Sequence, residues 1–167
     1  MALITIFTVP KAFKHPHISL IQRNTVRNLA SLGPDVNPLI IGDDEGVAEV
    51  AAEYGVRHLP NIARNEQGTP IVASAFQLAR ENSNTPLLAC INADNLLLPD
   101  FVETARLVSQ NFKNFLLSGQ RYELDITELL DFSPGWDERL RTEILQKTRI
   151  LCRPMLPSIK ICLIIIY

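Results

Sequence analysis

Pro86–Pro99 reads P-L-L-A-C-I-N-A-D-N-L-L-L-P. Its apolar run, Leu87–Ile91, is opened by a proline and stopped by Asn92-Ala93-Asp94-Asn95. A short continuous apolar run bounded in this way fits a strand buried on both faces. Asp94 then stands at the carboxyl end of that strand, the edge at which open α/β sheets bind ligands. A carboxylate flanked by two amides can hold a divalent cation there, and the cation can hold phosphates. Asn and Asp also favour plain turns, so the surrounding chain has to decide between the two readings.

Upstream, Leu3–Val9 is β-rich and halted by Pro10, which predicts a first strand. A polar loop, Lys11 to His17, leads to a helix over Ile18–Leu32, with Ile18, Ile21, Val26, Leu29 and Leu32 at helical spacing and Gly33-Pro34 as its stop. Pro38–Gly42 is a second short apolar strand. Asp43-Asp44-Glu45 introduce a helix over Val47–Tyr54, closed by Gly55 at the C-cap. Val56–Leu59 is a weak third strand, and Pro70–Asn82 a third helix with its proline in the first turn. Downstream of the quoted stretch, Asp100–Asn111 makes a fourth helix, and Phe115–Gly119 begins a fifth strand that runs toward Leu124. Strand and helix alternate at βαβ spacing, so the expected fold class is α/β: a mostly parallel, three-layer, doubly wound Rossmann-like sheet with helices on both faces.

Composition agrees with a globular domain: 167 residues, 47% hydrophobic and 20% charged. The net charge of −2, with Lys and Arg scattered, argues against a nucleic-acid binder. Cys90, Cys152 and Cys162 have neither metal-ligand nor redox spacing. The start of the chain lacks the basic region of a signal peptide, and Leu163–Tyr167 is too short to span a bilayer, so a cytoplasmic location without a membrane span is expected.

Three polar clusters fall at one edge of such a sheet: Thr8-Val9-Pro10-Lys11, Asp43-Asp44 and Asn92-Ala93-Asp94. Their convergence predicts a ligand crevice. Neither G-x-G-x-x-G nor G-x-x-x-x-G-K-S/T is present, so a phosphate ligand would need a metal, with Asp94 its candidate holder. Acidic residues after the second strand suit ribose hydroxyls or a base. Together these features point to a nucleoside diphosphate bound without a glycine-rich loop.

In their order these stretches resemble the family-2-like GT-A glycosyltransferases, the nucleotide-diphospho-sugar transferases. The likeness covers residues 3 to 120. It rests on Ile4–Pro10, Gly42-Asp43-Asp44, Asn65-Glu66-Gln67-Gly68, and Ile91-Asn92-Ala93-Asp94-Asn95 followed by Pro99-Asp100-Phe101. The last of these stands where that family has its D-x-D motif. The resemblance implies that Asp94 binds Mn²⁺ or Mg²⁺ bridging the diphosphate of a UDP- or GDP-sugar. It further implies that Thr8, Val9 and Pro10 line base and ribose, that Asp43 or Asp44 contacts them, and that Asn92 lies in the nucleotide site. Asn92 replaces the first acidic residue of the motif, and Val72-Ala73-Ser74 stands where many members carry Ala-Arg-Asn. Arg64 either supplies that missing charge or is a solvated loop residue.

Residues 1–125 form the expected nucleotide-sugar domain. Residues 126–167 read as an incomplete acceptor-side segment of one or two helices with an apolar tail, either a truncated or altered reading frame or a last buried strand. Asp131, Asp137 and Glu138 are its candidate bases, or simply surface carboxylates. The implied activity is sugar transfer to an acceptor; the alternative is a truncated, non-catalytic nucleotide-binding or interaction module. A nucleotidyltransferase would need a glycine-rich basic loop after the first strand, and Pro10–His17 contains no glycine. Among the remaining polar residues, Lys11 and Lys14 either steer a diphosphate or are ordinary surface lysines. His15-Pro16-His17 has chelating spacing but no third ligand nearby, and His58 reads as structural. Asp43 and Asp44 are also placed to cap the second helix.

Overall fold

The computed structural model describes residues 1–119, 124–150 and 162–166. Strands β1 (Ile4–Thr8), β2 (Val36–Ile41), β3 (Arg57–Leu59) and β4 (Leu87–Ile91) alternate with helices α1 (Pro16–Ser31), α2 (Val47–Glu53) and α3 (Val72–Glu81). Helix α4 (Asp100–Asn111), β5 (Phe115–Gly119), α5 (Trp136–Ile150) and β6 (Cys162–Ile166) follow. The four-stranded sheet has the order β3-β2-β1-β4 and is parallel throughout. The Rossmann-like α/β class is as expected.

Period-2 alternation sorts the strand side chains between two apolar layers. Ile4, Ile6, Ala89 and Ile91 pack with Leu29 of α1 and with Val102 and Ala105 of α4, and Ile40 joins Val26 of α1 and Val47 and Val50 of α2 on that side. Phe7, Leu39, Ile41 and Leu88 face Ala75 and Ala79 of α3 instead. There Phe76 meets Phe7 edge-on, with ring centroids 4.8 Å apart. The sheet is buried on both faces, which is why its strands read as continuous apolar runs.

Several boundaries differ from the sequence expectation. Strand β2 starts at Val36 and runs through Pro38, which pairs with Ile6. Strand β3 pairs only with Leu39–Ile41, so the proline falls where β2 has an open side and a missing donor costs little. Helix α3 starts at Val72 with Ile71 as its N-cap, while Pro70 lies outside it, bridged to Arg64. Strand β5 is described to Gly119; its expected continuation toward Leu124 falls partly on 120–123, outside the described residues. Residues 126–150 give one helix, α5, and the apolar tail contributes β6, antiparallel to β5.

Candidate functional site

Pairing registers put the carboxyl ends of three strands level, with Thr8 of β1 opposite Ile40 of β2 and Ile91 of β4. Strands β2 and β3 lie to one side of β1 and β4 to the other, so β1 and β4 flank the topological switch point. A cleft of ≈ 450 Å³ opens at this edge on the α3 side. Val9, Pro10 and Lys11 after β1 wall it, with Asp44 after β2 and Cys90 of β4. The rest comes from the β3–α3 loop, including Ile62, Arg64 and Gln67–Pro70, and from the start of α3.

Each wall has its own support. The Lys11 N–H donates to Gln22 Oε1 at 2.7 Å, and Gln22 Nε2 donates to the Lys11 carbonyl at 2.9 Å. The β1–α1 and β2–α2 loops dock where Phe13 N–H donates to the Glu45 carbonyl (2.8 Å). Gly46 makes this approach feasible: its φ is +85°, and a Cβ there would lie 2.8 Å from the Phe13 Cβ. The β3–α3 loop is a small turn held by Asn65, whose Oδ1 accepts from Gln67 N–H (3.0 Å) and Thr69 N–H (2.8 Å).

Arg64 fastens this loop to β2. Its guanidinium donates at 2.6 Å to Asp43 and at 2.6 Å to Asp44, and at 2.9 Å to the Gly68 carbonyl. It is therefore engaged rather than free in solvent. The Arg64 guanidinium beside Asp43 holds that carboxyl below the usual carboxylate range. Asp43 and Asp44 do not cap α2 with their side chains: the N-cap is Gly46, and Val47 N–H donates to the Asp44 main-chain carbonyl.

The predicted site residues divide into groups. Val9, Pro10 and Asp44 line the cleft, and Asp43 is tied to its wall through Arg64. Thr8 does not line it; its side chain is fully buried and its Oγ1 has no hydrogen-bond partner among the described residues. Asn92 and Asp94 are exposed, at the same sheet edge but outside the cleft lining. Lys11 lines the cleft and forms no ion pair among the described residues, whereas Lys14 is paired with Glu45 at 2.7 Å. His15 and His17 are exposed at the start of α1, and His58 Nε2 lies 2.7 Å from the Gly42 carbonyl in a structural contact. Asp131 accepts from the Ser133 hydroxyl (2.6 Å) and N–H (2.9 Å), bonds that hold its carboxyl below the usual range. Asp137 and Glu138 lie in the first turn of α5.

Among the described residues no group of three or more His, Cys, Asp and Glu side chains converges as a metal cage. Asp94 and Asn92 offer one exposed carboxylate and one exposed amide. That donor set fits Mg²⁺ or Mn²⁺ held mainly by phosphate oxygens and water, which needs only one or two protein carboxylates.

Sequence reasoning missed the amides of α1. Besides Gln22, buried Asn28 accepts from Leu97 N–H (2.7 Å) and donates to its carbonyl (3.0 Å). Asn24 does the same for Leu130 N–H (2.9 Å) and the Glu128 carbonyl (2.9 Å). Helical spacing was the available signal, since Gln22, Thr25, Val26 and Leu29 share one face and Asn24 and Asn28 are one turn apart beside it. No protein-family model matches the chain, and no curated protein matches it.

Proposed function

We propose that the chain binds a nucleotide sugar at the carboxyl edge of its parallel sheet and transfers the sugar to an acceptor, as a glycosyltransferase-like domain of the GT-A kind. The observation that carries this reading is the ≈ 450 Å³ cleft beside the β1/β4 switch point, where mixed apolar and charged walls meet. Val9, Pro10 and Ile62 offer apolar surface to a base. Asp44 and Arg64 offer an acceptor and a donor to its edge or to the ribose. Asp94, with Asn92 beside it in sequence, would hold Mn²⁺ or Mg²⁺ against the diphosphate. When bound, such a cation supplies Lewis-acid stabilisation of the departing diphosphate.

A thermal-shift screen of nucleoside diphosphates with and without Mn²⁺ tests the reading. Ligand at 100 times its Kd stabilises the folded state by about 2.7 kcal/mol, which for a chain of this size raises Tm by roughly 5–10 °C. UDP or GDP is expected to give such a shift, larger with Mn²⁺. Absence of a shift with every nucleotide tested removes the reading.

A second reading, a nucleotide-binding module without transfer, is favoured by the state of Asp131. Its carboxylate is committed to the Ser133 N–H and hydroxyl in the turn ahead of α5 and lies 3.5 Å from the Arg139 guanidinium, a turn-holding role rather than that of a free base. Incubation with UDP- and GDP-hexoses separates the two readings. Transfer or hydrolysis releases UDP or GDP, whereas a module binds the nucleotide and releases none.

A further inference from the structure

The cleft wall contains two cations, and their situations differ. Arg64 is neutralised by Asp43 and Asp44 and bonded to Gly68. Lys11 lines the same cleft with no ion pair among the described residues. The Lys11 ammonium sits on a long flexible stem, so its reach is set by where its Cα is held. That Cα is held from behind. Gln22, 3% exposed on α1, grips both ends of the Lys11 residue, accepting its N–H and donating to its carbonyl. Pro10 has no N–H to give, so this amide clamp is the polar anchor that the loop has at that point.

We propose that Gln22 is a positioning residue, whose amide clamp presents the Lys11 ammonium to the phosphates of an anionic ligand in the cleft. The inference rests on the nucleotide-binding reading above. It assigns the diphosphate a cationic contact after β1, separate from the cation-holding role of Asp94 at the end of β4. Both clamp bonds are part-buried, so Gln22→Met leaves the Lys11 N–H and carbonyl without the amide. Fold stability then falls, and the ammonium loses its fixed origin.

The experiment is a double-mutant cycle on the full chain. Calorimetry would measure binding of UDP or GDP with Mn²⁺, using whichever nucleotide the wild type binds more tightly. Lys11→Ala and Gln22→Met are each expected to weaken binding about tenfold. The double variant is expected to bind no more weakly than Lys11→Ala alone, because the clamp has nothing left to position. A merely structural role for Gln22 would instead give losses that add. Gln22→Glu keeps an acceptor for the Lys11 N–H and loses the donor to its carbonyl, so an intermediate loss is expected; it also serves if Gln22→Met does not fold. Wild-type affinity in both Gln22 variants, or additive losses in the cycle, overturns the positioning role and leaves the nucleotide reading standing. A wild-type chain that binds neither nucleotide overturns both.

Discussion

Asn28 carries two hydrogen bonds to a buried peptide, since Leu97 is 9% exposed and Asn28 itself 0%. Removing the amide strands a donor and an acceptor away from water, and each such group costs about 1–3 kcal/mol. Asn28→Leu is therefore expected to lower unfolding stability by roughly 2–4 kcal/mol in a urea titration. Asn24 makes the same pair of bonds, but its partner Glu128 is exposed and water can take over. Asn24→Leu should cost clearly less, and equal costs would contradict the account. Thr8 gives the opposite sign. Its buried hydroxyl has no partner among the described residues, so near-isosteric Thr8→Val should be neutral or stabilising by about 1 kcal/mol. A loss larger than that would show that the hydroxyl has a partner in solution. None of these amide roles could be read from residue type alone, because Asn and Gln are mostly exposed in proteins. Only the long-range fold brings Leu97 and Leu130 to them.

At the scale of elements, the site depends on loops fastened to one another. Gly46 lets the β2–α2 turn approach Phe13, and Gly46→Ala adds both a left-handed backbone cost and a 2.8 Å clash. A loss of about 2–3 kcal/mol is expected, together with faster amide exchange in Lys11–Lys14. Arg64→Ala should free the β3–α3 loop, read as faster exchange at Gly68 and Ile71 with little change in the sheet. Arg64 also gives this contact a pH sign. Arg64 depresses the folded-state ionisation of Asp43 below its ordinary 3.8, so the contact is complete above that value and is lost only as pH falls below it. Loop protection should thus be flat between pH 5 and 7 and fail under stronger acid. The start signal for α4, Pro99-Asp100, was legible because the helix begins there. Pro70 misled because proline also suits the residue before a helix: Ile71 is the N-cap, and Pro70 is used in a bridge to Arg64.

Over the whole molecule, alternating apolar runs and amphipathic stretches were sufficient to infer a parallel α/β sheet. A strand buried on both faces leaves a continuous apolar signature, and right-handed crossovers then restrict the order. The same logic placed Val9, Pro10 and Asp44 at the carboxyl edge, where they line the cleft. Sequence could not say which side of the sheet the cleft would open on. That depends on how the β3–α3 loop folds back, through the fork of Arg64 onto Asp43 and Asp44 and the Asn65 turn. Consequently Cys90 and Val9 border the cleft, while Thr8, one residue along, points into the core.

The central claim is that a nucleoside diphosphate binds at this edge with a cation on Asp94. Calorimetric titration of UDP and GDP into wild type and Asp94→Ala, each with Mn²⁺ and with EDTA, tests it most directly. The account predicts at least one nucleotide that the wild type binds about tenfold more tightly with Mn²⁺ than with EDTA, and for which Asp94→Ala shows no Mn²⁺ dependence. Equal Mn²⁺-dependent affinity in both proteins, or no binding of either nucleotide by the wild type, would contradict it.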